Sequence, residues 1–443
     1  MLIVGGNQSA GGYNVDNSCR FNQASQDYLN KTFSSDTNRT TYTISTWVKR
    51  SSVADETFII AADTSAGGGN TRDFVRIESN DQLRYTIGGG AAADVKTTQV
   101  LRDVSAWYHI VIAMDTTQAT ASNRTKVYIN NTLYNLTTLF NQNEDTPVNS
   151  TLIHAVGVGT DNLTANHFNG SMSHVNFIDG TAYDATAFGE YDANGVWKIK
   201  TSPSVTYGTN GFFILKDGNS VTDQSPNTNN FTVAGGTLTK TEDNPSNVFA
   251  VLNTLDKNIS NITLSNGNLT MTTSAINYGV RATMGVSSGK WYWEVKVVNK
   301  ATLPSFGIAK SDWDLRYPGN TSTSIGYASN GEIYSAGNNE GAYGAAYTTG
   351  DIIGVALDMD SLTLTFYKNG VSQGAVSSVF TASDFIFPAF AGQTSDVLSI
   401  NFGNGYFGTT AVASAGTNAS GNGIFEFDVP TGYTALSTKG YNL

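Results

Sequence analysis

Short runs of strictly alternating side chains, each closed by Asn or Gly, constrain this chain more than any other feature. In 356–370, ALDMDSLTLTFYKNG, Leu362, Leu364 and Phe366 fall on one face while Thr363, Thr365 and Tyr367 fall on the other. Ile353, Val355 and Leu357 precede them as a second alternating set. Asn369-Gly370 ends the unit: a type I′ hairpin needs φ > 0 at both central positions, which Asn and Gly adopt most readily. A looser copy, AMDTTQATASNRTKVYINN, occupies 113–131. There Ile110, Ile112 and Met114, then Val127 and Ile129, form the inward sets, with Asn130-Asn131 at the turn. The repeat predicts two antiparallel sandwiches, each with a central hairpin of similar geometry.

Composition supports that reading. The 443 residues are 40% hydrophobic and 11% aromatic, enough for sizeable cores and for two or three domains of ~100–200 residues each. Charged residues make up only 14%, against a usual ~25%. Gly, Thr, Ser, Asn and Ala fill the difference, which suits short strands and polar turns and leaves little for amphipathic helices. The stretch DATAFGEYDANG is the one short helix expected in the first half, capped by Asp184 and stopped near Gly189. The expected layout is a first sandwich over 1–234, a linker over 235–255 marked by Gly235-Gly236 and Asn244-Pro245, a second sandwich over 256–408 and an extension over 409–443. The extension is expected to add a final strand at 424–429 or to pack against a neighbour.

Several function classes fall away. Net charge is −11 and the 25 basic residues form no cluster, so neither a nucleic-acid stripe nor a polybasic membrane anchor is expected. Cys19 is the only cysteine, which rules out an intrachain disulfide and a cysteine zinc site. The start MLIVGGNQSAGG lacks the basic and apolar regions of a signal peptide, and no apolar run approaches the ~20 residues of a spanning helix. Action outside a cell would therefore come by another route, such as assembly into a virus particle.

Motifs that resemble catalytic signatures fail on context. Gly285-Val286-Ser287-Ser288-Gly289 fits G-x-S-x-G, but a strand pattern follows it and all four histidines (His109, His154, His167, His174) lie in the other half. Gly403-Asn404-Gly405-Tyr406-Phe407-Gly408 fits G-x-G-x-x-G with no following helix to hold a pyrophosphate. Paired carboxylates for glycan cleavage reduce to Glu426-x-Asp428, because Asp358-x-Asp360 falls in a turn and Asp312-x-Asp314 in a loop. The chain is read as a non-enzyme, with glycan cleavage at Glu426 the weaker alternative.

Binding candidates come from polar loops holding aromatic rings. KSDWDLRYPGNTS offers Trp313, Asp314, Arg316 and Tyr317, and SAGNNEGAYGAAYTT offers Asn338, Asn339, Tyr343 and Tyr347. Exposed rings stack on sugar C–H faces while amides and carboxylates bond hydroxyls. Asp63, Asp73, Asp161 and Asn162 are candidate loop ligands for Ca²⁺. Trp47, Trp107, Trp291 and Trp293 lie in strands and are expected in the cores.

Six motifs in order give the second half a resemblance to SPRY domains: Gly289-Lys290-Trp291-Tyr292-Trp293-Glu294-Val295, Phe306-Gly307-Ile308-Ala309, Asp351-Ile352-Ile353-Gly354-Val355, Phe366-Tyr367-Lys368-Asn369-Gly370, Phe387-Pro388-Ala389-Phe390 and Asn401-Phe402-Gly403. The first half resembles concanavalin A-like (laminin-G-like) jelly rolls through CRFNQASQDYLNKTF, STWVKRS, WYHIVIAMD, KVYINN and FNGSMSHVNFIDGTAYDATAFGE. The pairing, with DNPSNVFAVLN between the halves and PTGYTALST near the end, is similar to virion proteins of tailed bacteriophages. That resemblance implies an all-β, non-catalytic tail-fibre or capsid-surface protein, homo-oligomeric by analogy. Its sandwich-edge loops would meet a host-surface glycan or protein, or other virion proteins.

Overall fold

The computed structural model describes residues 14–63, 73–87, 93–134, 140–159, 163–218, 220–377 and 380–443. Among the described residues strands dominate and helix is confined to single 3₁₀ turns. One of these, Ala185–Ala187, stands where the short helix was expected, with Asp184 accepting the Thr186 N–H at 2.9 Å. The chain divides into two compact units between Ser246 and Asn247.

The first unit stacks two antiparallel sheets. One runs Thr132–Tyr134, Thr125–Ile129, Trp107–Asp115, Thr41–Arg50, Gly170–Asp179, Ser18–Phe21, Thr239–Thr241, with Phe212–Ile214 also pairing Gly170–Asp179. The other runs Thr232–Gly235, Tyr28–Thr32, Ile153–Val156, Thr57–Asp63, Asp73–Ile77, Gln82–Ile87, Ala93–Val100. Inward residues of both, including Ile44, Val48, Ile110, Ile112, Val127 and Ile129, make the core, as period two requires. The outer face of the first sheet is also partly covered: Phe188, Tyr207 and Phe213 pack over Val111 and Ile178. The 235–255 stretch is divided between the units. Thr239–Thr241 pairs Ser18–Phe21, and Asp243 beyond it takes a buried ion pair from Lys49 at 2.5 Å.

The second unit repeats the plan. Its sheets run Leu252–Lys257, Tyr278–Ala282, Ile386–Gly392, Ser305–Lys310, Ser324–Ala328, Glu332–Ser335, Asn338–Ala342 and Ile262–Ser265, Thr270–Thr273, Val397–Asn401, Lys290–Asn299, Ile352–Asp358, Thr363–Lys368, Val371–Ser377. Trp291 and Trp293 lie in the core between them. Past residue 408 the chain folds over the outer face of the second sheet. Thr434–Ala435 pairs in parallel with Lys290–Asn299, and Phe425, Val429 and Ala435 bury Tyr292, Ala356 and Phe249. The added strand is therefore not at 424–429, where only Ile424 bridges Asn404.

The two hairpins of the repeat are alike. Asn130 and Asn131 have φ of 50° and 65°, and Asn369 and Gly370 have 48° and 81°.

Candidate functional site

In the second unit, the loop between Ser305–Lys310 and Ser324–Ala328 folds against the outermost hairpin, Glu332–Ser335 and Asn338–Ala342. The Lys310 N–H donates to the Thr323 carbonyl at 2.8 Å and closes the loop base. The Gly337 N–H donates to the Gly319 carbonyl at 2.9 Å and fastens the loop to the hairpin turn. Trp313 is the loop's anchor. Expected as an exposed ring, it is 3% exposed, packed on Ala309, Ala389 and Leu315, with Nε1 donating to Asn320 Oδ1 at 3.3 Å. Gly279 leaves the room: a Cβ there would stand 2.4 Å from both the Trp313 ring and the Arg316 carbonyl. An apolar ring at the base of a polar loop gains more from burial than from solvent, so Trp313 offers no face to a ligand.

Asp314, Arg316 and Tyr317 stay at the surface. The Arg316 side chain is 66% exposed and its Nε lies 3.7 Å from Asp314, whose carboxylate also accepts the Asn320 amide at 2.9 Å. Tyr317 meets Tyr334 edge to face, ring centres 5.8 Å apart. Glu332 gathers the Tyr334 hydroxyl at 2.9 Å, the Asn339 amide at 3.0 Å and the Asn330 amide. The Tyr334 bond first, then that of Asn330, holds its carboxyl below the usual value. Asn338 is exposed in the outer strand, whose far side has no strand partner among the described residues. The rim thus joins Asp314, Arg316, Tyr317, Asn338 and Asn339 of the expected set to Asn330, Glu332 and Tyr334. The alternation of Glu332 and Tyr334 about buried Ile333 carried a readable signal for two of these.

Tyr343 and Tyr347 do not join it. Tyr347 is 1% exposed, its hydroxyl 2.8 Å and 2.9 Å from the carbonyls of Tyr327 and Pro304. Tyr343 is half-buried edge-on to Tyr327 and Phe366, and its hydroxyl donates to the Gly374 carbonyl. Both rings extend the core's aromatic cluster with Phe306, which explains their inward turn.

Of the calcium candidates, Asp63 and Asp73 are buried at adjoining ends of the paired strands Thr57–Asp63 and Asp73–Ile77, and Asp73 accepts the Val148 N–H at 3.2 Å. Asp161 and Asn162 lie outside the described residues. Among the described residues no group of three His, Cys, Asp or Glu side chains is placed to hold a metal.

The groups with catalytic appearance carry bonds within the fold. Glu426 accepts the Ala413 N–H at 2.8 Å, and Asp428 accepts the Thr417 N–H at 2.7 Å. Ser45 Oγ lies 2.9 Å from His109 Nε2, a contact that sequence spacing hides. Trp197 Nε1 donates to His109 Nδ1 at 3.1 Å, which places the imidazole proton on Nε2, donating to Ser45. A ring so held does not accept the serine proton, and Ser45 is 1% exposed. The 285–289 motif is a turn before Lys290–Asn299, and 403–408 leads into the hairpin Tyr406–Phe407 and Thr410–Ala411.

The sheets and their order define an all-β chain of two sandwiches, concanavalin A-like and then SPRY-like. Comparison with known families gives the same pair: residues 23–185 match the concanavalin A-like lectin/glucanases superfamily, and residues 290–405 match the SPRY domain. Among curated proteins, the dual specificity protein kinase splA of Dictyostelium discoideum is 34% identical over 99 residues, 22% of this chain and 4% of the kinase. Ran-binding protein 9 of Xenopus tropicalis is 31% identical over 157 residues, 32% of this chain and 28% of that protein. The chain thus spans under a third of the length of either relative. Among solved structures, the SPRY domain of human HERC1 is 21% identical, covering 34% of this chain and 96% of that domain, with a TM-score of 0.30.

Proposed function

We propose that this chain is a non-catalytic recognition protein of a virus particle's surface, and that its SPRY unit takes a host-surface partner on the rim around Tyr317 and Tyr334. The observation that carries this reading is the rim itself. Two partly exposed rings, an exposed guanidinium and a tethered carboxylate stand where a pinned loop meets the outermost hairpin. Aromatic rings and arginine are the side chains that most often dominate protein contacts. A bare outer strand beside them adds main-chain donors and acceptors suited to a polypeptide. The name of the relative Ran-binding protein 9 also speaks of a protein partner. The virion setting rests on the tandem order of the two domains with DNPSNVFAVLN and PTGYTALST. Weak contacts at many copies on one particle would gain by avidity.

The test is adsorption of particles carrying Arg316→Ala with Tyr317→Ala. Adsorption reduced at least tenfold with normal particle yield supports the reading, while normal adsorption by the double variant counts against it.

A second reading, a structural part bound to other virion proteins, is favoured by Leu255, Ile259 and Ile276, which stand 58%, 82% and 61% exposed on the second unit. Fragile particles that adsorb normally after deletion of the gene would select it.

A further inference from the structure

The chain holds eight Asn-Gly pairs, and the fold treats one of them differently from the rest. An asparagine followed by glycine is open to attack on its own side chain. The next main-chain nitrogen reaches Cγ when that peptide is free to turn, and glycine hinders the approach least. Three restraints oppose this. Asn210, Asn404 and Asn422 are buried, which keeps water from the reacting carbon. Gly170, which follows Asn169, is locked in a sheet between Phe21 and Arg50. The side chains of Asn266, Asn330 and Asn369 are tied, their amides donating to the Thr270 hydroxyl, the Glu332 carboxylate and the Asp351 carboxylate.

Asn194 escapes all three. It stands at the tip of a small hairpin of the first unit, Gly189–Tyr191 paired with Trp197–Ile199. The Gly195 N–H donates to the Asp192 carbonyl at 3.0 Å, and the Asp192 N–H donates to the Val196 carbonyl at 3.0 Å. Gly195 closes the turn with φ of 76°. The Asp192 carboxylate accepts the N–H groups of Asn194 and Val196 at 2.8 and 2.9 Å. Every one of these bonds leaves the Asn194 side chain alone. Among the described residues no hydrogen bond engages its amide, and 193–196 are exposed throughout. A Cβ on Gly195 would meet nothing within 4 Å, so the turn has room to rearrange.

We infer that Asn194 is a deamidation site, the Asn-Gly pair that converts while the chain stays folded. The Gly195 nitrogen bonds to Asn194 Cγ, the Cγ–Nδ2 bond breaks, and ammonia leaves with the proton of the Gly195 N–H. Water then opens the five-membered imide. Addition at Cγ leaves an aspartate side chain; addition at the main-chain carbonyl carries the chain through the side chain as isoaspartate. Water is the one co-reactant, and no electrons change hands. Either product sets a second carboxylate beside Asp192, and isoaspartate adds a carbon to the main chain between the two N–H groups that Asp192 holds. Both bonds then cannot be kept. Below the tip, Tyr191 meets Trp197 with ring centres 4.9 Å apart, and Trp197 stacks over His109 at 5.9 Å. Conversion therefore loosens the cover of His109.

The experiment is peptide mass mapping of the full chain after days in mildly alkaline buffer, folded and in urea. In the folded protein the one-dalton gain should collect first on the peptide holding Asn194, as an aspartyl and isoaspartyl doublet. In urea the eight pairs should convert at similar rates. Gly195→Ala should slow the Asn194 conversion about tenfold, and Asn194→Gln should remove it. Hydrogen exchange over 189–199 should rise in step with conversion in the parent and stay constant in Asn194→Gln. Gains shared evenly among the folded Asn-Gly peptides, or appearing first at Asn266, would overturn the assignment. A lead of Asn194 as large in urea would show that the fold does not select it, and conversion without faster exchange over 189–199 would overturn the loosening.

Discussion

Asn369 returns both its main chain and its side chain to one residue, Ile352. Its N–H donates to the Ile352 carbonyl at 2.8 Å, and its Oδ1 accepts the Ile352 N–H at 2.9 Å. Asn130 does the same to His109 at 2.9 and 2.8 Å. The repeated Tyr-x-Asn of the two hairpins therefore has a cause beyond turn propensity. One side chain extends the ladder by a rung while its backbone takes φ > 0.

Replacing that asparagine removes a partner from a strand N–H and puts Cβ-bearing alanine at positive φ without compensation. Asn369→Ala should destabilise the second unit by about 1–3 kcal/mol, and Asn130→Ala the first by a similar amount. Urea unfolding measures both. A shift within error for both variants would show that the clamp contributes nothing.

Gly279→Ala tests the coupling between core and rim. The added methyl meets the Trp313 ring and the Arg316 carbonyl, so the loop must move outward. Overpacking of this kind costs about 1–3 kcal/mol. Hydrogen exchange across 311–320 should rise while that of Lys290–Asn299 stays unchanged; equal change in both would refute a local effect.

The extension past residue 408 is held by a carboxylate that the sequence does not mark. Glu294, fully buried, accepts the N–H groups of Glu426 and Phe427, both at 2.9 Å. Glu294→Ala leaves two donors without an acceptor and should cost about 2–4 kcal/mol. Limited proteolysis should then cut first within 412–430. A cleavage pattern like that of the parent protein would dismiss the tether.

Strand alternation and turn chemistry made the fold legible because both are local. Period two placed Leu364 and Phe366, or Val127 and Ile129, in the cores, and Asn369-Gly370 fixed a hairpin. The rim was legible only in part. Polarity of the 311–320 segment marks a loop, but which ring in it turns inward depends on Gly279, over thirty residues away in sequence. Tyr347 misleads for the same reason, since its hydroxyl finds carbonyls from two distant segments. The docking of the Gly/Ala/Ser-rich extension depends on Tyr292, Ala356 and Glu294 on the sheet it covers.

The two units should respond oppositely to pH. Burial pushes the Glu294 carboxyl up to about 7, against its two N–H donors and the Tyr292 hydroxyl. With an ordinary value of 4.5, the folded state holds a proton that the unfolded chain has lost, so stability falls as pH rises from about 4.5 through 7. In the first unit, burial first lowers His109 and His174 to about 3 and His154 to about 4, from 6.5. The unfolded chain binds those protons first, so stability falls as pH drops below 6.5. Each fully coupled group gives a slope of about 1.4 kcal/mol per pH unit. Asp351 and Asp358, which burial alone would raise, are held below 3.8 by hydrogen bonds and act only beneath this window. Hydrogen exchange at pH 5 and 7, corrected for intrinsic rates, resolves peptides of each unit. Protection should rise with pH in the first and fall in the second, and Glu294→Gln should flatten only the second. Slopes of one sign in both units would remove the basis for this assignment.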